Sequence, residues 1–106
     1  MGFVQKEVLN LNKKYELALI LKPDLSEEAF NAEMDNIKNM LDKSGAITEK
    51  IDCWGKKKLA YQIKKFSEGN YNFIIFSGEP NLPIDLESKL RINENIIRFL
   101  IVKHEN

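Results

Sequence analysis

The chain holds one cysteine, Cys53, so no disulfide can close within it, and a reducing compartment fits. It holds one histidine, His104, in a polar tail with no carboxylate or cysteine cluster beside it, which argues against a histidine-based general base or metal ligand. There is no run of eighteen apolar residues, hence no membrane-spanning helix and no membrane partner expected. The first residues lack the apolar core of a secretory signal, and Lys6 breaks the myristoylation pattern that Met1-Gly2 would otherwise open. No P-loop, no Gly-x-Gly-x-x-Gly and no metal-ligand spacing occurs. No catalytic residue, metal, cofactor or small-molecule substrate is therefore expected. Net charge is also missing: sixteen basic and sixteen acidic residues cancel, so overall charge does not mark a nucleic-acid binder.

What is present is unevenly placed. At 106 residues and 43% hydrophobic content the chain suffices for one domain with one core. Residues 24–42 carry six acids and one lysine, Lys38, whereas residues 53–67 carry five lysines and no acid. The second stretch, Trp54 to Phe66, interleaves lysines with aromatics. From Leu59 onward its apolar positions mostly alternate, which predicts a strand with one buried face. Lysines aligned beside aromatics suit a nucleic-acid backbone, although such runs also solvate an exposed strand and guard its edge. Cys53, just before it, reads as a small buried hydrophobe.

Residues 1–13 read as an N-terminal extension, disordered or weakly helical, because Val4, Val8 and Leu11 fall at helical spacing in a segment too short to hold a helix alone. Residues 14–104 read as the domain. Lys14 to Lys22 predicts a central strand, apolar on both faces and ended by Pro23. Asp24 or Ser26 caps a helix whose stripe is Phe30, Met34, Ile37 and Leu41 and whose end is Gly45. Ala46 to Phe66 predicts a long strand with a bulge at Trp54-Gly55, and Ser67 to Asn70 a hairpin turn. Tyr71 to Ser77 predicts a third strand. Asn81 then caps a second helix with a Leu82, Leu86, Leu90 stripe, Arg91 to Asn95 forms a loop, and Ile96 to Lys103 a last strand.

Strand, helix, strand, strand, helix, strand with right-handed crossovers gives an α+β fold. It is the ferredoxin-like βαββαβ two-layer sandwich: a four-stranded antiparallel sheet in the order four, one, three, two, with two helices on one face. Lys14 and Tyr15 then lie near Val102 and Lys103, and the lysine strand takes the opposite edge.

Three segments of this chain together resemble the family of the sixth protein of the bacterial small ribosomal subunit, from Lys14 to Lys103. They are Lys14-Tyr15-Glu16; Gly55 to Ile63 with Lys65; and Arg91 to Arg98 leading into Ile101-Val102-Lys103. The resemblance implies a non-catalytic, cytoplasmic ribosomal protein. It implies binding to the central domain of small-subunit rRNA and a heterodimer with the eighteenth small-subunit protein. Carried over position by position, the implied rRNA-binding residues are Lys13, Lys14, Tyr15, Lys57, Lys58, Lys65, Arg91, Arg98 and Lys103. Two family positions that are often basic are here Asn93 and Ile97. Leu59, Tyr61 and Ile63, or the edge of the last strand, offer an apolar docking surface for the partner protein. For Arg98, a surface ion pair with Glu16 is the competing role.

Two other readings share the topology. An RNA-recognition-motif-like module would need Tyr71 and Phe73 exposed on the open face of the sheet to stack bases. A ferredoxin-like ligand-binding regulator would often carry a histidine, a carboxylate pair or a glycine-rich loop; this chain offers one tail histidine, His104, and scattered acids that solvate the first helix.

Overall fold

Alternation of large aliphatic residues makes the first strand, β1 (Lys13–Leu21), the spine of the sheet. Tyr15, Leu17, Leu19 and Leu21 point to one side and are all but inaccessible, while Ala18 and Ile20 point to the other. The remaining elements in this computed structural model, which describes residues 13–103, are α1 (Glu27–Lys43), β2 (Ile47–Ile63), β3 (Phe66–Gly78), α2 (Leu82–Arg91) and β4 (Ile96–Lys103). The sheet order is β2-β3-β1-β4 with every neighbouring pair antiparallel, the order and sense the sequence implies. Tyr15 stands opposite Lys103, and Glu16 opposite Val102. Of the extension expected over residues 1–13, residues 1–12 lie outside the described residues, as does His104; Lys13 belongs to β1.

Helix boundaries follow local chemistry. The Ser26 side chain accepts from the Ala29 amide at 3.1 Å, and Glu27 and Glu28 sit in the first turn where the dipole favours acids. At the other end Gly45 has φ 90°, its amide donates to the Asp42 carbonyl, and the Ala46 amide donates to the Leu41 carbonyl. That pair of bonds is the Schellman closure, for which glycine is the cheapest residue. Asn81 takes the position before α2, but its side chain makes no capping bond, contrary to expectation; its φ of −83° and ψ of −11° are helical rather than the extended values of a capping residue.

The helices cover one face only. Met34, Ile37 and Leu41 of α1, with Leu82, Leu86 and Leu90 of α2, close over Leu17, Leu19, Ile74 and Phe76. Each fully buried leucine or isoleucine among them contributes about 1.5–3 kcal/mol against exposure.

The β2–β3 hairpin departs from the sequence reading. The turn is Lys64-Lys65, both left-handed at φ 51° and 73°, and Ser67 to Asn70 lie inside β3. Glycine at position 69 answers to packing, not to a turn: a Cβ there would lie 2.2 Å from Cγ2 of Ile20. The hairpin also outruns the sheet. The β1–β3 pairing stops at Leu21 opposite Asn70, so Phe66 to Gly69 pair with β2 alone. At about 3.3 Å per residue, this ribbon projects roughly 13 Å beyond the four-stranded body.

Candidate nucleic-acid interface

Between the Lys58–Glu68 pair and the Ile63–Phe66 pair, β2 spends four residues, Leu59 to Gln62, against the single Ser67 of β3. A surplus of this kind leaves the ladder and re-aims side chains. Here it carries Tyr61 over the open face of the sheet, where its hydroxyl accepts a hydrogen bond from Nη1 of Arg98 at 2.9 Å. The lysine half of β2 is thus no strand with one buried face: Leu59 and Ile63 are half-buried and Tyr61 is 62% exposed. The Trp54-Gly55 bulge lies where expected, with the register shifting between Cys53 and Gly55 and Gly55 at φ 85°. It turns Trp54 against Phe73, ring centroids 4.7 Å apart. Cys53 is exposed, against the reading of it as buried, because β2 is an edge strand not covered at that position.

The open face is apolar at its centre. Ala18, Ile20, Tyr71, Phe73, Arg98 and Leu100 are among the residues lining a shallow recess of about 190 Å³. Around it Trp54, Leu100 and Val102 are exposed by 60%, 59% and 42%. Tyr71 and Phe73 do lie on this face, as a base-stacking module requires, but both are half-buried and Trp54 leans on Phe73.

The basic residues implied as rRNA-binding do not form one patch. β1 and β4 run in opposite senses, so Lys13, Lys14 and Lys103 collect at one end of the sheet. Lys57, Lys58, Lys65, Arg91 and Arg98 lie toward the other end. Along β3 eight residues, about 26 Å, separate the level of Lys14 from that of Lys57, and along β4 five residues, about 16 Å, separate Lys103 from Arg98. Several cations are also engaged within the chain. Lys14 Nζ pairs with Glu49 at 3.2 Å, and Glu49 accepts from the Ser77 hydroxyl as well. Arg91, the last residue of α2, pairs with Glu87 one turn earlier at 3.6 Å. Arg98 makes no ion pair with Glu16; it donates to Tyr61 instead. Tyr15 is 7% exposed and packed on Phe76 with centroids 5.6 Å apart, so its ring belongs to the core. Lys57, Lys58 and Lys65 are exposed, and none of the ion pairs among the described residues involves them.

One feature escaped the sequence. Glu33, read as one of several acids solvating α1, is 8% exposed. Its carboxylate accepts from the Asn93 and Asn95 side-chain amides, each at 2.7 Å, and from Asn36 at 3.4 Å. Burial pushes this carboxyl up, but the amide donors of Asn95, Asn93 and Asn36 outweigh burial and hold it below its ordinary value. Asn93 Oδ1 accepts the Asn95 amide, and the Lys22 amide donates to the Asn95 carbonyl, so the α2–β4 loop is fixed from three sides. The only hint in the sequence was an acid one residue before the apolar stripe position Met34.

Among the described residues no group of three histidine, cysteine or acidic side chains is placed to hold a metal, and no helix is long and apolar enough to cross a membrane.

Comparison with known proteins gives a consistent result. The profile of the ribosomal protein S6 family matches residues 14–103. The small ribosomal subunit protein bS6 of Clostridium kluyveri is 44% identical over 92 residues, covering 87% of this chain and 97% of the relative. That of Campylobacter jejuni subsp. jejuni is 50% identical over 94 residues, covering 89% of this chain and 75% of the relative. The crystal structure of 30S ribosomal protein S6 from Thermotoga maritima superposes with a TM-score of 0.83 at 29% identity over 88% of both chains.

Proposed function

The chain belongs to the ribosomal protein S6 family, non-enzymatic proteins of the small ribosomal subunit in the cytoplasm, and from that premise we propose that it binds the central domain of small-subunit rRNA jointly with the eighteenth small-subunit protein. One observation carries this reading: cationic and apolar surfaces are separated on the molecule. The exposed lysines of the hairpin sit on a projecting ribbon, whereas Trp54, Leu100 and Val102 expose an apolar face on the sheet itself. Two surfaces of different chemistry suit two partners, phosphodiester on the ribbon and protein on the face.

The lysines neutralise phosphates and release counterions; they position the protein and carry little sequence information. Balanced net charge makes the isolated chain a weak RNA binder. A basic partner seated on the open face adds charge and contact area, and by linkage each protein raises the other's affinity for RNA by the same factor. Tyr61 and Arg98 stand between the two surfaces, and Leu59 and Ile63, on the same stretch of β2, are half-buried.

The test is the affinity of this chain for a central-domain rRNA fragment, with and without the partner protein, at fixed salt. Tighter binding in the presence of the partner is expected. Equal affinity in both conditions removes the cooperative reading, and no binding in either removes RNA from the assignment.

A further inference from the structure

The hairpin turn is built from the wrong residues for its geometry. Positive φ at both central positions is the signature of a type I′ turn, where Asn-Gly or Gly-Gly is the usual choice because a Cβ disfavours that conformation. This chain places Lys64 and Lys65 there, at φ 51° and 73°. Conformational strain retained at an exposed site points to a use for the side chains, since solvation alone is served equally by lysines at unstrained positions.

The ladder shows where the other lysines of the ribbon point. Gly69 has its missing Cβ directed at Ile20, on the open side of the sheet, and Lys57 is its cross-strand partner, so Lys57 projects to that same side. Lys56 and Lys58, paired with Asn70 and Glu68, project to the opposite side. All five lysines are exposed, none joins an ion pair among the described residues, and Glu68 opposite Lys58 is not bonded to it. Cations therefore occupy both faces and the tip of a two-stranded ribbon that reaches past the body of the protein, Lys57 on one face, Lys58 on the other and Lys64 with Lys65 at the tip, with Lys56 at its base opposite Asn70. A protein that lies flat on one nucleic-acid strand needs cations on one face only.

We infer that the hairpin is an insertion element. Lys64 and Lys65 at the tip, Lys57 on one face and Lys56 with Lys58 on the other seat between two phosphodiester backbones of folded RNA and hold them at the width of a β-ribbon. Lys56 and Lys64 are thereby assigned to phosphate contact alongside the lysines already named. The inference rests on the reading that the chain binds ribosomal RNA.

The experiment uses the full chain, a central-domain rRNA fragment and a series of KCl concentrations. Four variants are compared with the wild type: Lys64→Asn, Lys64→Arg, Lys57→Ala, and Lys56→Ala with Lys58→Ala. Asparagine tolerates the left-handed conformation, so Lys64→Asn is expected to melt at or above the wild-type temperature while its RNA affinity falls and its log–log salt slope flattens by about one unit. Lys64→Arg keeps the affinity. Lys57→Ala flattens the slope by about one unit and the double variant by about two, and combining the three adds the effects. The proposal is overturned if Lys64→Asn leaves affinity and slope unchanged. It is equally overturned if only one face of the ribbon changes the slope, or if these variants lose a protein partner in the absence of RNA rather than RNA itself. A wild-type chain that binds the fragment neither alone nor with the partner protein present overturns the broader RNA assignment, an outcome distinct from variants that bind as the wild type does.

Discussion

Arg98 on β4 donates to the hydroxyl of Tyr61 on β2 at 2.9 Å, although these strands form opposite edges of the sheet with β3 and β1 between them. The contact exists because the Leu59–Gln62 surplus leaves the ladder and arches over the open face. Tyr61→Phe keeps the ring and removes the acceptor. Both partners are exposed, so the loss in global stability is expected to stay below about 1 kcal/mol. Amide exchange in the hairpin, however, is expected to quicken, and Arg98→Ala to do the same. The double variant should add nothing to either single one, since both remove one interaction. Independent, additive effects on exchange would show that the bond does not tether the arch.

Gly69 and Ile20 make a second cross-strand dependence. A methyl at position 69 would lie 2.2 Å from Cγ2 of Ile20, a β-branched side chain with little rotamer freedom. Gly69→Ala is expected to cost about 1–3 kcal/mol in urea unfolding, the usual range for overpacking. Adding Ile20→Ala should recover part of that loss. A Gly69→Ala protein as stable as the wild type would mean that β1 and β3 separate here without cost.

These two contacts mark the limit of what the sequence disclosed. Element order, strand order, the Gly45 helix end and the Gly55 bulge were all readable, because alternation and glycine placement are local signals. The hairpin turn was misplaced because its local signal points the wrong way. Gly69-Asn70 has turn composition but lies within a strand, where a neighbour's methyl needs the space; Lys64-Lys65 has none but turns. Of the candidate site, the lysine stretch was legible as charge density, whereas the burial of Tyr15 was not, because a motif match says nothing about burial. Glu33 was missed because its partners, Asn93 and Asn95, are about sixty residues away and reach it only through the fold.

Tyr15 offers a direct check on that burial. A core ring packed on Phe76 predicts that Tyr15→Ala loses about 3–5 kcal/mol of stability, the range for deleting a buried aromatic ring. Tyr15→Phe keeps the ring and should lose little in stability or RNA affinity. A Tyr15→Ala protein that melts normally but no longer binds rRNA would return the residue to the interface.

Acid should loosen the α2–β4 loop first. The Glu33 carboxyl titrates below its ordinary value of 4.5 in the folded chain because three amide donors favour its charged form. A lowered folded value means that the unfolded chain binds the proton more readily. The stabilisation is therefore complete above about pH 4.5 and is lost as the pH falls from there through the folded value. Glu33→Gln removes the titrating group and turns an amide toward Asn93 or Asn95, setting donor against donor. At neutral pH it is expected to cost about 1–3 kcal/mol, the penalty for a buried polar group left without its partner. The other carboxylates titrate alike in both proteins, so the difference in unfolding free energy between wild type and Glu33→Gln isolates this site. That difference should be largest at neutral pH and shrink on acidification below about pH 4.5, and the amides of Asn93 and Asn95 should lose exchange protection over the same interval. If the difference stays constant on acidification, the Glu33 carboxylate does not clamp the loop through its charge.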